Sequence, residues 1–226
     1  MIDKNAYYVD KTNLIENVLN EQNVFFTRPR RFGKTLNMSM LYYFFSIKEK
    51  ENAYLFNGLN ISKNKKAIKH QNQYPTLFIT LKDMKNSSYE KQMNRFKEII
   101  CLCAKNFLEL LDSDELLDSE KKLFQKYVDN ETEDNELERE IFNISYFLYK
   151  HYHQKVIILI DEYDVPLQAA YQYNYYDEMV EFLRSVFSSA LKTNDALEKG
   201  IMAGCLRISK ESIFTGLNNF KAYSIL

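Results

Sequence analysis

Gly33, Lys34 and Thr35 close a run that reads Arg28-Pro29-Arg30-Arg31-Phe32-Gly33-Lys34-Thr35, and their chemistry suits a chain of phosphates. A bound triphosphate needs backbone N–H donors turned inward, a cation between its outer phosphates and a hydroxyl for Mg²⁺. The G-x-x-x-x-G-K-[ST] loop supplies all three. Gly33, Lys34 and Thr35 match that pattern, with Arg30, Arg31 and Phe32 ahead of them as further nucleotide contacts. The first glycine of the pattern falls on Arg28, followed by Pro29, so this loop opens with a stiff turn and an arginine cluster. A bare Gly-Lys-Thr arises readily by chance. Its context decides, because a strand before it and a helix after it add the positive end of the helix to the site.

A second constellation lies far downstream, where the apolar run Val156-Ile157-Ile158-Leu159-Ile160 ends in Asp161-Glu162, with Asp164 close behind. Hydrolysis of a phosphoanhydride uses two carboxylates with different duties. Asp161 is suited to hold Mg²⁺ beside Thr35, directly or through a water, and Glu162 to orient and polarise the attacking water. An isolated Asp-Glu would read simply as an acidic strand end at the solvent edge. Joined to the Lys34 loop, the pair completes one site: Glu162 and Lys34 catalytic, Thr35 and Asp161 on the metal. Arg28, Arg30 and Arg31 admit three readings: phosphate contacts, a nucleic-acid backbone patch, or solvated charge.

Other clusters carry less. His151-Tyr152-His153 alternates as at a strand entrance, which points the two imidazoles to opposite faces, and no Cys or carboxylate set accompanies them. The run Tyr171-Gln172-Tyr173-Asn174-Tyr175-Tyr176 lacks interleaved Lys or Arg, so it reads as a packed or partner-facing loop more than a base-stacking platform.

The elements that must position these residues follow from pattern. Tyr7-Tyr8-Val9-Asp10-Lys11-Thr12 is a short extended entry, with Asp10 or Thr12 able to cap a helix whose apolar face is Leu14, Ile15, Val18 and Leu19. Val24-Phe25-Phe26-Thr27 is a buried strand, and Leu36, Met40, Tyr43 and Phe44 predict a helix from about Gly33 to Ser46. Further strands are expected over 75–81, 156–160, 200–206 and 221–226, with helices over about 89–111 and 175–192. The acidic stretch 112–140 reads as surface helices with a solvated face. Strands separated by helices imply a three-layer α/β sandwich with a mostly parallel sheet, and such sheets place ligands at the carboxyl ends of their strands.

Composition agrees with a single globular domain: 226 residues, 46% hydrophobic and 27% charged. A formal net charge of -1 excludes a chain-wide field for nucleic acid or anionic lipid. Cys101, Cys103 and Cys205 form no paired framework and read as buried thiols of a reducing cytosol. The N-terminal residues lack the apolar stretch of a signal peptide and no run is long enough to cross a bilayer, so a cytoplasmic protein is expected.

Taken together, Tyr7-Tyr8-Val9-Asp10-Lys11-Thr12, the run from Arg28 to Leu36, Leu159-Ile160-Asp161-Glu162-Tyr163-Asp164 and Leu217-Asn218-Asn219 resemble the predicted AAA-ATPase-like family over nearly the whole chain. In that family the R-P-R-R-F-G-K-[ST] loop is itself the characteristic form. The resemblance implies a P-loop NTPase-type core related to AAA and STAND ATPases, with ATP and Mg²⁺ as cofactors, commonly followed by a PD-(D/E)xK nuclease-like domain. Two departures stand out. The strand at 200–206 resembles the family's sensor strand, yet Ala203 stands where many relatives have a hydroxyl, leaving Arg207 as the nearest polar candidate. Relatives also continue past the equivalent of Leu226 into a helical lid, so the expectation is one AAA-like domain over residues 1–226 with lid and C-terminal region missing.

The expected function is Mg-dependent ATP binding with slow hydrolysis that drives a conformational switch. The alternative is a non-hydrolysing nucleotide-binding scaffold that recruits a partner. A small-molecule kinase uses the same loop, but the Asp161-Glu162 pair suits water activation. Expected partners are the nucleotide and a second copy or another protein that supplies a lid or an Arg. Nucleic acid enters only indirectly, and no membrane is involved.

Overall fold

The structure, a computed structural model, describes residues 9–27, 29, 32–205 and 220–224, the last stretch by its backbone. The sequence readings at Tyr7-Tyr8, Arg28, Arg30, Arg31, Leu206, Arg207, Leu217-Asn218-Asn219 and Ile225-Leu226 lie outside the described residues.

The β-branched and aromatic runs form five strands: β1 (Asn23–Thr27), β2 (Thr76–Thr80), β3 (Val156–Asp161), β4 (Leu197–Gly204) and β5 (Phe220–Ser224). They lie in one sheet of order β2-β3-β4-β1-β5, and every neighbouring pair is parallel. Parallel neighbours require crossovers, and these put helices on both faces. Side chains alternate accordingly. Val24, Phe26, Ile157, Leu159, Ile201 and Ala203 enter one core with Leu14, Ile15, Met38, Leu41 and Phe44. Phe25, Leu77, Ile79, Ile158, Ile160 and Met202 enter the other, beneath the longer helices of the middle of the chain. All six residues of β3 are buried, which explains why its sequence is a continuous apolar run rather than an alternating one.

On the first face lie α1 (Asn13–Leu19), α2 (Lys34–Phe45) and the short α3 (Lys65–Ile68). The other face carries α4 (Tyr89–Ala104), α5 (Asp118–Asp129), α6 (Glu140–Tyr152), α7 (Val165–Gln172) and α8 (Tyr176–Leu191). The result is a three-layer α/β sandwich.

Several local expectations change. Thr12 precedes α1 without making a side-chain cap. Its hydroxyl donates to Asp10 Oδ1 at 2.6 Å and accepts from the Ile61 N–H at 3.1 Å, while Asp10 Oδ2 accepts from the Asn60 N–H at 2.7 Å. The pair therefore ties α1 to the 3₁₀ turn at Asn60–Lys63. The acidic stretch is amphipathic, not only a solvated surface: Leu116, Phe124, Tyr127, Val128 and Leu137 are buried in the larger core. His151 and Tyr152 end a helix rather than enter a strand. His151 Nδ1 meets Ser113 Oγ at 2.8 Å and His153 Nε2 faces Glu115 at 3.5 Å, so the two imidazoles serve different partners. Cys101 and Cys103 are buried, and burial pushes the Cys103 thiol up to about 12.

Candidate functional site

β1 ends at Thr27 and α2 begins at Lys34, so the arginine-rich run connects a strand to a helix at the carboxyl edge of the sheet. Gly33 caps α2 in the left-handed region, with φ 76°. A Cβ there would meet nothing within 4 Å, so glycine is required by the backbone conformation and not by space. The Gly33 carbonyl accepts the Asn37 N–H at 2.9 Å and starts the helix. The N–H groups of the first turn are thereby left without intrahelical acceptors, at the positive end of α2. Phe32 and Thr35 are exposed, whereas Lys34 is buried, with 7% of its surface exposed.

Register brings the second motif to the same edge. Asp161 pairs with Ala203 across β3 and β4, and Ala203 pairs with Phe26 across β4 and β1. Asp161 thus stands two strands from the phosphate-loop strand, on the order of 10 Å at the usual strand spacing. Lys34 and Thr35 span that gap. The Lys34 amine donates to Cys205 Sγ at 2.8 Å and to the Pro29 carbonyl at 3.5 Å, and it lies 3.9 Å from Glu162 Oε1. One ammonium therefore touches the ends of β1, β3 and β4.

Asp161 is fully buried. Its Oδ1 accepts the Glu162 N–H at 3.0 Å, while Oδ2 is buried with no hydrogen-bond partner among the described residues. Burial pushes the Asp161 carboxyl above its ordinary value. The neighbouring Thr35 hydroxyl opposes that rise, the nearby Glu162 adds to it, and the Glu162 N–H and Lys34 oppose it. Glu162 follows in the left-handed region at φ 57°, where a non-glycine residue costs roughly 1–2 kcal/mol. That turn takes Glu162 off the line of β3 and toward Lys34.

A family model described as a predicted AAA-ATPase matches residues 1–214, a stretch that includes both constellations. The chain belongs to the predicted AAA-ATPase family. No curated protein and no solved structure matches it.

Two residues of this predicted AAA-ATPase reach the site although the sequence assigned them no role there. Cys205, grouped in the sequence with the buried thiols, is only partly buried and contacts Lys34. Asp164 is fully buried, and its two oxygens accept the Cys205 N–H at 3.1 Å each, while Oδ2 also accepts Gln168 Nε2 at 2.8 Å. It ties the turn after β3 to the end of β4. The legible hint was position: Cys205 directly follows β4 and Asp164 lies in the turn after β3, both strands that end at the site. Glu162, Asp164 and Cys205 bring potential ligand atoms within 4.8 Å of one another. Hydrogen bonds to Asp164 and the Lys34 contact to Cys205 already occupy that cluster. Ala203 is buried between Asp161 and Phe26 and offers only a methyl group.

Proposed function

We propose that this chain binds Mg·ATP and hydrolyses it slowly, with hydrolysis driving a conformational switch. The observation that supports the reading best is the fully buried Asp161 Oδ2, without a hydrogen-bond partner among the described residues, beside the Thr35 hydroxyl and the positive end of α2. A carboxylate oxygen desolvated without a donor is costly, and a hard divalent cation with oxygen ligands answers that cost. Thr35 and Asp161 fit as the residues that would hold Mg²⁺. When bound, the metal neutralises charge on the outer phosphates.

The chain's own residues account for the rest. Gly33 and the first turn of α2 present N–H groups to the phosphates, with Arg30, Arg31 and Phe32 as neighbouring loop contacts. Lys34 exchanges Cys205 Sγ and the Pro29 carbonyl for β- and γ-phosphate oxygens, which are stronger acceptors for an ammonium. Glu162 accepts a hydrogen bond from the attacking water and aligns it with the γ-phosphorus. The switch has a physical basis in the same contacts. Before nucleotide arrives, Lys34 links the ends of β3 and β4 through Glu162 and Cys205, and phosphate removes that link.

The deciding experiment is calorimetric Mg·ATP binding with phosphate release, for the wild type and Glu162→Gln. The variant is expected to keep Mg·ATP affinity and to slow turnover by about 10²–10⁴-fold, the range for loss of a group that assists proton transfer. Equal phosphate release from both proteins would refute the water-activating role and favour a non-hydrolysing scaffold.

A further inference from the structure

A second recess opens at the carboxyl edge of the sheet, sharing Glu162 with the site above. It lies between the segment 81–88 after β2 and helix α7, with a volume of about 580 Å³. Small-molecule sites usually run from roughly 300 to 1,000 Å³. Lys82 and Lys85 line it from the 81–88 segment. From α7 and its end come the apolar Val165 and Ala169 and the polar Gln172 and Tyr173.

The segment that carries the lysines is held in place. Met84 is fully buried. Gln92, also fully buried, donates to the Met84 carbonyl at 2.7 Å and accepts from the Asn86 N–H at 3.1 Å and from Asn86 Nδ2 at 3.0 Å. Tyr175 donates its hydroxyl to the Asn86 carbonyl at 2.6 Å, anchoring the segment to the turn between α7 and α8. Asp83, the carboxylate between the two lysines in sequence, is paired with Arg95 at 3.1 Å. Neither Lys82 nor Lys85 has an ion-pair partner among the described residues. Among the described residues Glu162 is the one acid lining the recess, and Lys34 stands 3.9 Å from it. A rigid wall thus presents two uncompensated ammonium groups to a cavity with an apolar patch and an exposed tyrosine.

We propose that this recess binds a small phosphorylated molecule, its phosphate between Lys82 and Lys85 and its body along α7 and Tyr173. Lysine ammonium and phosphate make charge-assisted hydrogen bonds, and the cavity volume suits a small molecule. A nucleic-acid strand is disfavoured, since it needs a longer track of cations and the chain has a net charge of -1. Because Glu162 lines both sites, occupancy of the recess alters the electrostatics of the water-activating carboxylate and so the turnover of ATP. This regulatory part rests on the function proposed above; the binding itself does not.

The test uses the full chain carrying Lys34→Ala, which disables the phosphate loop. Calorimetry and NMR shift mapping follow titration with pyrophosphate, ribose 5-phosphate, ribose as neutral control, and a short single-stranded oligodeoxynucleotide. Saturable binding of pyrophosphate or ribose 5-phosphate is expected, with shifts at Lys82, Lys85 and Tyr173. Adding Lys82→Ala and Lys85→Ala should weaken it by about ten-fold or more, as loss of charge-assisted contacts predicts. Both lysines are exposed, so an unchanged melting temperature of that variant shows the fold intact. Phosphate binding indifferent to these lysines, no saturable binding of either phosphate probe, equal binding of ribose, or binding of the oligonucleotide alone would each overturn the proposal. Failure of the phosphate-loop reading is a separate outcome, seen as ATP affinity that survives Lys34→Ala, Lys82→Ala and Lys85→Ala together.

Discussion

Thr35 is an exposed residue whose hydroxyl lies near enough to the buried Asp161 carboxylate to oppose the rise of its pKa. Its removal should separate metal-dependent from metal-free binding. Thr35→Ala is expected to weaken Mg·ATP binding while leaving ATP affinity in EDTA close to wild type, because the hydroxyl serves the cation. Calorimetry in the two buffers measures this directly. Equal losses in both would place Thr35 on the phosphates instead. Glu162 illustrates a second residue-scale point, since its left-handed backbone is a local cost that the surrounding contacts sustain. Asn72, Asn130, His153 and Asn174 share that backbone region, and among these residues Glu162 is the one that lies 3.9 Å from Lys34.

At the scale of elements, the crossing of β4 past the turn after β3 is close enough to exclude a side chain. A Cβ at Gly204 would overlap the Tyr163 ring and stand 2.8 Å from Asp164 Oδ1. Tyr163 is fully buried and packs on Phe25 with ring centroids 4.9 Å apart, so it has little room to yield. Gly204→Ala should therefore destabilise the fold by about 1–3 kcal/mol, the usual cost of overpacking, read as a lower urea midpoint. A wild-type midpoint would show that the strand end shifts freely.

Helix α6 opens with a different tension. Glu140 is buried, its Oε2 has no hydrogen-bond partner among the described residues, and burial pushes its carboxyl up to about 7 against an ordinary 4.5. A hydrogen bond from Thr132 and the charge of Lys97 offset part of that rise. Between pH 4.5 and 7 the folded state binds more protons than the unfolded chain. The stability contributed by the protonated carboxyl is thus complete below pH 4.5 and lost as pH rises through 7. Glu140→Gln should leave the melting temperature nearly unchanged at pH 5 and raise it at pH 8, by an amount worth up to about 2–3 kcal/mol. An equal difference at both pH values would show that Glu140 titrates normally.

For the whole molecule, nucleotide binding and folding are linked, because the site exists only when the strand ends are assembled. Mg·ATP at a hundred times its dissociation constant should stabilise the fold by about 2.7 kcal/mol. In a domain of this size each kcal/mol is worth roughly 2–4 °C in Tm. Differential scanning fluorimetry should show that rise in the wild type and its loss in Lys34→Ala. A variant that gains as much as the wild type would remove Lys34 from the binding site.

Much of this architecture was legible in one dimension. The run of apolar residues before Asp161 reads as a strand buried on both faces, and the spacing of Met40 and Phe44 after Gly33 as a helix facing a core, although Leu36 on the same pattern is exposed at the site's edge. These are local properties, written in period and burial, and they located Lys34, Thr35, Asp161 and Glu162 at strand and helix ends. Helix α7 escaped notice because Val165–Gln172 is only eight residues long, and its outward face, Gln168, Tyr171 and Gln172, spans barely one turn. What the chain alone could not express was lateral order. That β4 lies between β1 and β3, and so inserts Ala203 and Cys205 between the phosphate loop and Asp161, depends on pairing among segments far apart in sequence. The contact of Lys34 with Cys205 and the locking of Asp164 onto the end of β4 follow from that order, and the meeting of Lys82 with Tyr173 around one recess from the pairing of β2 with β3. Periodicity determines which face of an element is buried; only the packing of the whole sheet determines which neighbours that element meets.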